Sequence, residues 1–269
     1  MATLRSVWLM YHDVQGPSSD SSVPRSSAMY HVSSATFASH LEAIGRSGLE
    51  VTTVGRFLAG SSVAEGSVAL TFDDGWAGTF THAVPELLRR NWRATVFITR
   101  DFVGRPGFCD AAMLRDAASA GIEIGIHGTT HRMLSGCTYD QIVWEFRACR
   151  DHLESLLGRP IEHASLPGGD GTPVITAAAR EAGVTAICTS RPGVNKTSTA
   201  RANLYRMAIR SSTTADDVAR YCAFDVRRER ARWALLQLPR TALGMRTYSR
   251  LRRMVFGERA GHQNEVFKP

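Results

Sequence analysis

The sequence predicts an α/β protein built on a parallel sheet, open or closed into a barrel. Two observations carry that expectation. Short apolar, β-branched runs recur along the chain, and stretches with helical character separate them. Strands that alternate with helices need crossover connections, and crossovers produce parallel sheets. The length of 269 residues suits one sizeable domain, or one domain with an appendage. A content of 43% hydrophobic and 21% charged residues fits an ordinary globular chain and excludes extensive disorder.

The expected strands are 7–11, 68–72, 94–99, 122–126, 164–166, 185–188 and 204–209. The expected helices are 35–47, 79–90, 111–120, 139–157, 173–182 and 215–224. The helix at 139 opens on a capping box, with Thr138 as cap and Gln141 three residues on. Gly121, Gly158 and Gly183 stand where helices should stop. Segment 15–28 is rich in Ser and Pro and reads as a surface loop. There is no internal repeat. In folds of this class the chemistry sits on loops at the C-terminal ends of strands.

The N-terminus does not read as a secretory signal. Arg5 breaks its apolar stretch and His12-Asp13 ends it. No run approaches the roughly 20 apolar residues of a membrane span. The expected compartment is therefore the cytoplasm. The five cysteines agree: the count is odd, no CxxC occurs, and buried reduced thiols are the plain reading.

The net charge of +7 is localised. Residues 227–253 hold nine Arg and one Glu, while the charges of 254–269 cancel, so the first 226 residues are close to neutral. A basic footprint spread over the whole protein, as nucleic-acid binding would need, is absent, and no nucleic-acid partner is expected. The tail interleaves Arg with Trp233, Leu235, Leu236, Leu238 and Tyr248, and Pro239 and Gly244 divide it into two expected helices. Such a tail can lie on an anionic membrane surface, with the protein peripheral at the inner face, or pack on the body with a solvated Arg face.

Two motifs follow expected strands. Asp73-Asp74-Gly75 follows 68–72. Adjacent side chains diverge, so the two carboxylates can serve different partners at one site, one binding a metal while the other takes a proton from water. Read alone, the same residues are a polar turn. His127-Gly-Thr-Thr-His131 follows 122–126. Two imidazoles four apart share a face if the segment turns helically. With one carboxylate they make a three-ligand set that leaves a position for water. The coincidence carries the weight, because the ends of parallel strands converge on one face.

At this point the chain resembles the polysaccharide deacetylases, the fourth carbohydrate esterase family, over about residues 5–224. Thr71-Phe72-Asp73-Asp74-Gly75 is similar to that family's first motif and 127–131 to its second, with Gly128 in place of the usual small hydroxyl residue. The resemblance implies a deformed (β/α) barrel, which the seven or so expected parallel strands would build over 1–226, and the charge pattern sets 227–269 apart as a basic helical appendage. It implies a divalent metal, commonly zinc, held by Asp74, His127 and His131, and Asp73 as general base. Ser165-Leu166-Pro167-Gly168-Gly169 lies at the third motif, where many members place an Arg before the proline and this chain has Leu166. A subgroup similar to the poly-N-acetylglucosamine deacetylases also lacks that Arg. There Gly168 matches the residue whose backbone N–H helps bind the oxyanion, with Pro167 and Gly169 beside it. Leu9-Met-Tyr-His12 resembles that subgroup's opening, and no His lies between His163 and His262 to supply the family's late Leu-x-His motif, so the resemblance implies His12 as general acid, or else a strand-end His bonded to backbone. Arg206, in a Leu-x-Arg strand, is expected to orient Asp73, or else to be a surface strand residue.

The implied reaction is hydrolysis of an N-acetylated sugar, in a polysaccharide, an oligosaccharide or a lipid-linked glycan, to acetate and a free amine. Residues 227–256 are then the expected contact for an anionic membrane or lipid-linked sugar. The rival expectations are a glycan-binding pseudoenzyme that keeps the metal, and a related hydrolase that attacks another N-acyl or C–N bond.

Overall fold

A computed structural model describes residues 4–17, 28–60, 65–169 and 171–235. In chain order the strands are β1 (Arg5–Tyr11), β2 (Asp13–Gln15), β3 (His31–Ser33), β4 (Glu50–Thr52), β5 (Gly66–Phe72), β6 (Thr95–Ile98), β7 (Glu123–Ile126), β8 (His163–Ser165), β9 (Ala186–Cys188), β10 (Val194–Lys196) and β11 (Met207–Ala208). The helices are α1 (Ser34–Arg46), α2 (Val54–Leu58), α3 (Val84–Arg89), α4 (Ala111–Ser119), α5 (Tyr139–Leu157), α6 (Pro173–Glu181) and α7 (Ala215–Cys222).

β1, β5, β6, β7, β8 and β9 pair in that order, all parallel. The ring closes through 204–208: Leu204 bridges to Cys188 on β9, while Met207 and Ala208 register with Leu9 and Met10 on β1. This is the deformed (β/α) barrel that the resemblance implies. The deformation lies at the closure, where β1 pairs with antiparallel β10 over its first half and with β11 over its second. β4 joins β5 as a side branch, and β2 and β3 form a separate parallel pair.

Strands buried on both faces explain the unbroken apolar runs. Along each strand, alternate side chains face the helices or the barrel interior. Val7, Leu9, Val68, Leu70, Phe72, Val96, Ile98, Ile124 and Ile126 belong to the cluster between sheet and helices. Trp8, Ala69, Phe97, Ala186, Cys188 and Leu204 fill the interior together with Val54 and Phe57 of α2. Trp8 and Phe57 meet edge-on, with ring centroids 5.7 Å apart. Burying each of these rings stabilises the fold by roughly 1.5–3 kcal/mol. α2 plugs the N-terminal mouth, because the Val54 and Gly55 N–H groups donate to Thr95 and Glu123 at the first residues of β6 and β7. The C-terminal mouth is left for chemistry.

Helix α5 carries the expected capping box, and left-handed Gly158 (φ 65°) ends it. The expected helix 79–90 differs. It is a π-helical turn over Thr79–Ala83 that passes into α3, with Pro85 in the first turn of α3. The π turn follows Gly78, where a Cβ would lie 2.3 Å from Asp13 Oδ1 and the Val14 carbonyl. Of the loop expected at 15–28, Gln15 belongs to β2, and 18–27 lies outside the described residues. Of the expected tail helices, 227–235 is helical, and 236–269 lies outside the described residues. No helix among the described residues is long and apolar enough to cross a membrane.

Candidate active site

Asp73 continues the ladder of β5, its N–H donating to the Tyr11 carbonyl at 3.0 Å. Asp74 then takes φ 75° and Gly75 φ 87°. A non-glycine residue in the left-handed region is strained by about 1–3 kcal/mol, and such strain collects at functional sites. Here it sends the two adjacent carboxylates different ways.

Asp73 turns into the barrel. Arg206, fully buried, donates to both of its oxygens, Nη1 to Oδ1 at 2.7 Å and Nη2 to Oδ2 at 2.8 Å. The guanidinium is held in turn by the Thr189 carbonyl (3.0 Å) and the Thr71 hydroxyl (3.3 Å). Burial acts most strongly and raises the Asp73 pKa, but the Arg206 charge and hydrogen bonds, together with the nearby imidazoles of His127 and His12, outweigh it and the pKa is lowered. Asp73 is thus an ionised, oriented carboxylate at the floor of the open mouth. Of the two expectations for Arg206, the structure has the partner of Asp73 and not a surface residue.

Asp74 turns toward β7. Its Oδ1 lies 3.2 Å from His127 Nε2 and 3.1 Å from His131 Nε2. The three ligand atoms all lie within 4.8 Å of one another. Asp74 Oδ1 is buried and accepts no hydrogen bond among the described residues. Its Oδ2 accepts from Trp76 Nε1 at 3.0 Å. Burial opposes the charged form of Asp74, yet the charge on His131 and the contacts from both imidazoles hold its pKa well below the usual range. Ser165 fixes His127. Its hydroxyl donates to Asp73 Oδ1 at 3.2 Å, so the same oxygen accepts from His127 Nδ1 at 2.5 Å. With Nδ1 as its donor, a neutral His127 turns its Nε2 lone pair toward Asp74 Oδ1, so this donor set fits a divalent metal.

The two histidines do not converge by the helical turn considered for 127–131. The segment is irregular, with Gly128 at φ 82° and His131 at φ 60°. It is held from beneath by Glu145 on α5. That buried carboxylate accepts the N–H groups of Thr129 (2.7 Å) and Thr130 (2.8 Å) and the Thr130 hydroxyl (2.5 Å). Ser165, Trp76 and Glu145 are functional candidates that sequence reasoning missed in these roles. Glu145 had a signal, since it is a lone acid on the apolar stripe formed by Ile142, Phe146, Cys149 and Leu153.

His12 lies on the same mouth, stacked on Tyr30 with ring centroids 4.5 Å apart. Its Nδ1 is buried and without a partner among the described residues. Burial pushes its pKa down against the pull of Asp74 and Asp73. A cavity of about 150 Å³ joins His12, Asp73, Asp74, His127 and His131, and Trp76, Met133, Gly168 and Gly169 also line it. Gly168 (φ 74°) faces this space against Met133, and its N–H has no backbone partner among the described residues. Pro167 is buried behind it, near Gly128.

Residues 60–187 match the family model for polysaccharide deacetylase. The putative polysaccharide deacetylase YxkH of Bacillus subtilis (strain 168) is 26% identical over 130 residues, which are 48% of this chain and 47% of that one. The match therefore spans about half the length of this curated relative. The Streptococcus pyogenes deacetylase PplD in complex with acetate superposes with a TM-score of 0.71 at 19% identity, over 80% of this chain and 97% of that one. IcaB from Ammonifex degensii superposes with a TM-score of 0.68 at 25% identity, over 81% of this chain and 96% of that one.

Proposed function

We propose, from the support that these comparisons give to the polysaccharide deacetylase family, that the protein hydrolyses the N-acetyl group of an N-acetylated glycan. The products are acetate and a free amino sugar. One observation carries the reading. A carboxylate paired with a buried arginine stands beside a convergent Asp-His-His set, and both open into one cavity. Early His12 and the pairing of Arg206 with Asp73 support the subgroup similar to the poly-N-acetylglucosamine deacetylases. Residues 1–226 are the proposed catalytic domain and 227–269 its appendage.

Asp74, His127 and His131 would hold a divalent metal, with zinc the first candidate. Such a metal supplies Lewis-acid polarisation of the amide carbonyl and lowers the pKa of water. Asp73 takes the proton from the attacking water as the C–O bond forms. Arg206 keeps Asp73 ionised and aimed for that step. The Gly168 N–H donates to the oxygen that gains charge in the tetrahedral state. As the C–N bond breaks, protonated His12 gives its proton to the leaving amine. The proton gained by Asp73 then restores His12 through solvent.

The test is acetate release from N-acetylglucosamine oligosaccharides by the full chain, before and after chelation. The reading expects acetate and free amine in equal amounts, loss on chelation, and recovery with zinc. Release unaffected by chelation would remove the metal from the reaction.

A further inference from the structure

The cavity at the catalytic mouth does not end at Gly169. Ser190 lines it and also lines a second cleft of about 270 Å³. That cleft lies over β11, between the start of α7 and the helical segment 227–235. Three arginines face it: Arg210 from the loop after β11, and Arg228 and Arg232, one helical turn apart. None of the three has a carboxylate partner among the described residues. The Arg210 Nε is buried and donates to no partner there either. The acids of the cleft are already engaged. Arg220 pairs with Asp217 at 3.0 Å and with Glu229 at 2.7 Å, and the Tyr221 hydroxyl adds a bond to Glu229.

The far wall is Trp233, with the Arg191 guanidinium over its ring at 4.9 Å. Beyond Trp233 a further hollow is lined by Arg191, Lys196, Arg230 and Arg227, the last paired with Asp225, and by no acid among the described residues. Unpaired arginines on both sides of one aromatic wall create a positive field next to a reaction centre whose own charges are internally paired. Guanidinium forks match phosphoryl oxygens two at a time, and each such bond is charge-assisted.

We propose that this cleft is a substrate subsite for a phosphoryl group, so that the preferred glycan carries phosphate or diphosphate next to the N-acetylated sugar. The inference rests on the deacetylase reading for its kinetic consequence but not for its binding consequence. It assigns a role to the first part of the basic appendage: Arg228 and Arg232 hold the anion while the acetamide reaches Asp73. Two sources offer the same chemistry, a sugar linked to a carrier through diphosphate and the headgroup of an anionic lipid.

Binding is measured first, by calorimetry of inorganic pyrophosphate into the full chain and into the Arg228→Gln/Arg232→Gln double variant. The subsite predicts binding to the parent and at least a tenfold loss, about 1.4 kcal/mol, in the variant. It also predicts weakening with added salt, as exposed charge pairs are screened. Kinetics follow on two substrates, a neutral N-acetylglucosamine oligosaccharide and a soluble glycosyl-diphosphate analogue carrying the same sugar. The double variant should raise KM for the charged substrate at least tenfold, leave its kcat in place, and leave the neutral substrate unchanged.

Vesicles containing anionic phospholipid but no sugar form the third arm. Vesicle binding that needs Arg228 and Arg232, without pyrophosphate binding or preference for the charged sugar, would overturn the subsite in favour of a membrane contact. Equal KM values for the two substrates in the parent protein would also overturn it. Acetate release without charge preference would leave the deacetylase reading standing alone. Pyrophosphate binding without acetate release from either substrate would do the reverse.

Discussion

Replacing Arg206 by Met tests the floor of the site. The substitution keeps much of the volume but deletes two charge-assisted bonds of 2.7 and 2.8 Å and leaves Asp73 buried without its counter-charge. Breaking a buried pair from one side costs about 3–5 kcal/mol, more than the net worth of the pair, because the remaining charge stays desolvated. At roughly 2–4 °C per kcal/mol for a chain of this size, the melting temperature should fall by roughly 6–20 °C. Asp73→Asn alone strands the arginine and should cost a similar amount. The informative protein is Asp73→Asn/Arg206→Met, in which neither charge is left alone. Its loss should be smaller than the sum of the single losses by at least about 1 kcal/mol, read as a double-mutant cycle from denaturant unfolding. Single losses that add to within about 0.5 kcal/mol would refute the claim that these residues act as a pair.

Three further outcomes follow. Glu145→Gln leaves one acceptor oxygen where two received two backbone N–H groups and a hydroxyl, so the 127–131 turn loosens; zinc affinity should fall about 10–100-fold, read by chelator competition. Ser165→Ala leaves His127 Nδ1 only the backbone carbonyl of residue 165 at 3.2 Å, and should weaken zinc less than Glu145→Gln while lowering kcat, because Asp73 loses a donor as well. Buried His40 is satisfied as the neutral tautomer, donating from Nε2 to the Thr213 carbonyl and accepting the Tyr11 hydroxyl at Nδ1. Burial depresses its pKa below the usual 6.5, so the unfolded chain binds its proton first. Stability should therefore decline as pH falls through about 6.5 and level off below the folded-state pKa, and His40→Gln should flatten that slope in urea titrations.

The long strands were legible because β1, β5, β6 and β7 are buried on both faces and carry continuous apolar runs. The missed strands β2, β3, β4 and β10 are three residues each, with sequences such as Asp-Val-Gln and Val-Asn-Lys that give periodicity nothing to act on. The π turn at Thr79–Ala83 was hidden because its cause is tertiary, the close approach of Gly78 to Asp13 and Val14. At the site, Asp73, Asp74, His127 and His131 were readable from short spacings after strands. The helical route to the His pair was wrong because Glu145, 16 residues downstream of Thr129, pins a turn instead. Ser165 is 92 residues from Asp73 and 38 from His127, and only the barrel brings the three together. Arg206 could be named but not settled, since its choice between Asp73 and solvent depends on closure of the ring at Leu204 and Met207.

The division of labour between the adjacent carboxylates is tested most directly by metal content and turnover measured on the same preparations of Asp73→Asn and His131→Ala. Asp73→Asn should retain about one zinc per chain by elemental analysis and release no acetate, while His131→Ala should lose the zinc. Full acetate release by Asp73→Asn, or unchanged zinc in His131→Ala, would contradict the assignment of the base and of the metal site respectively.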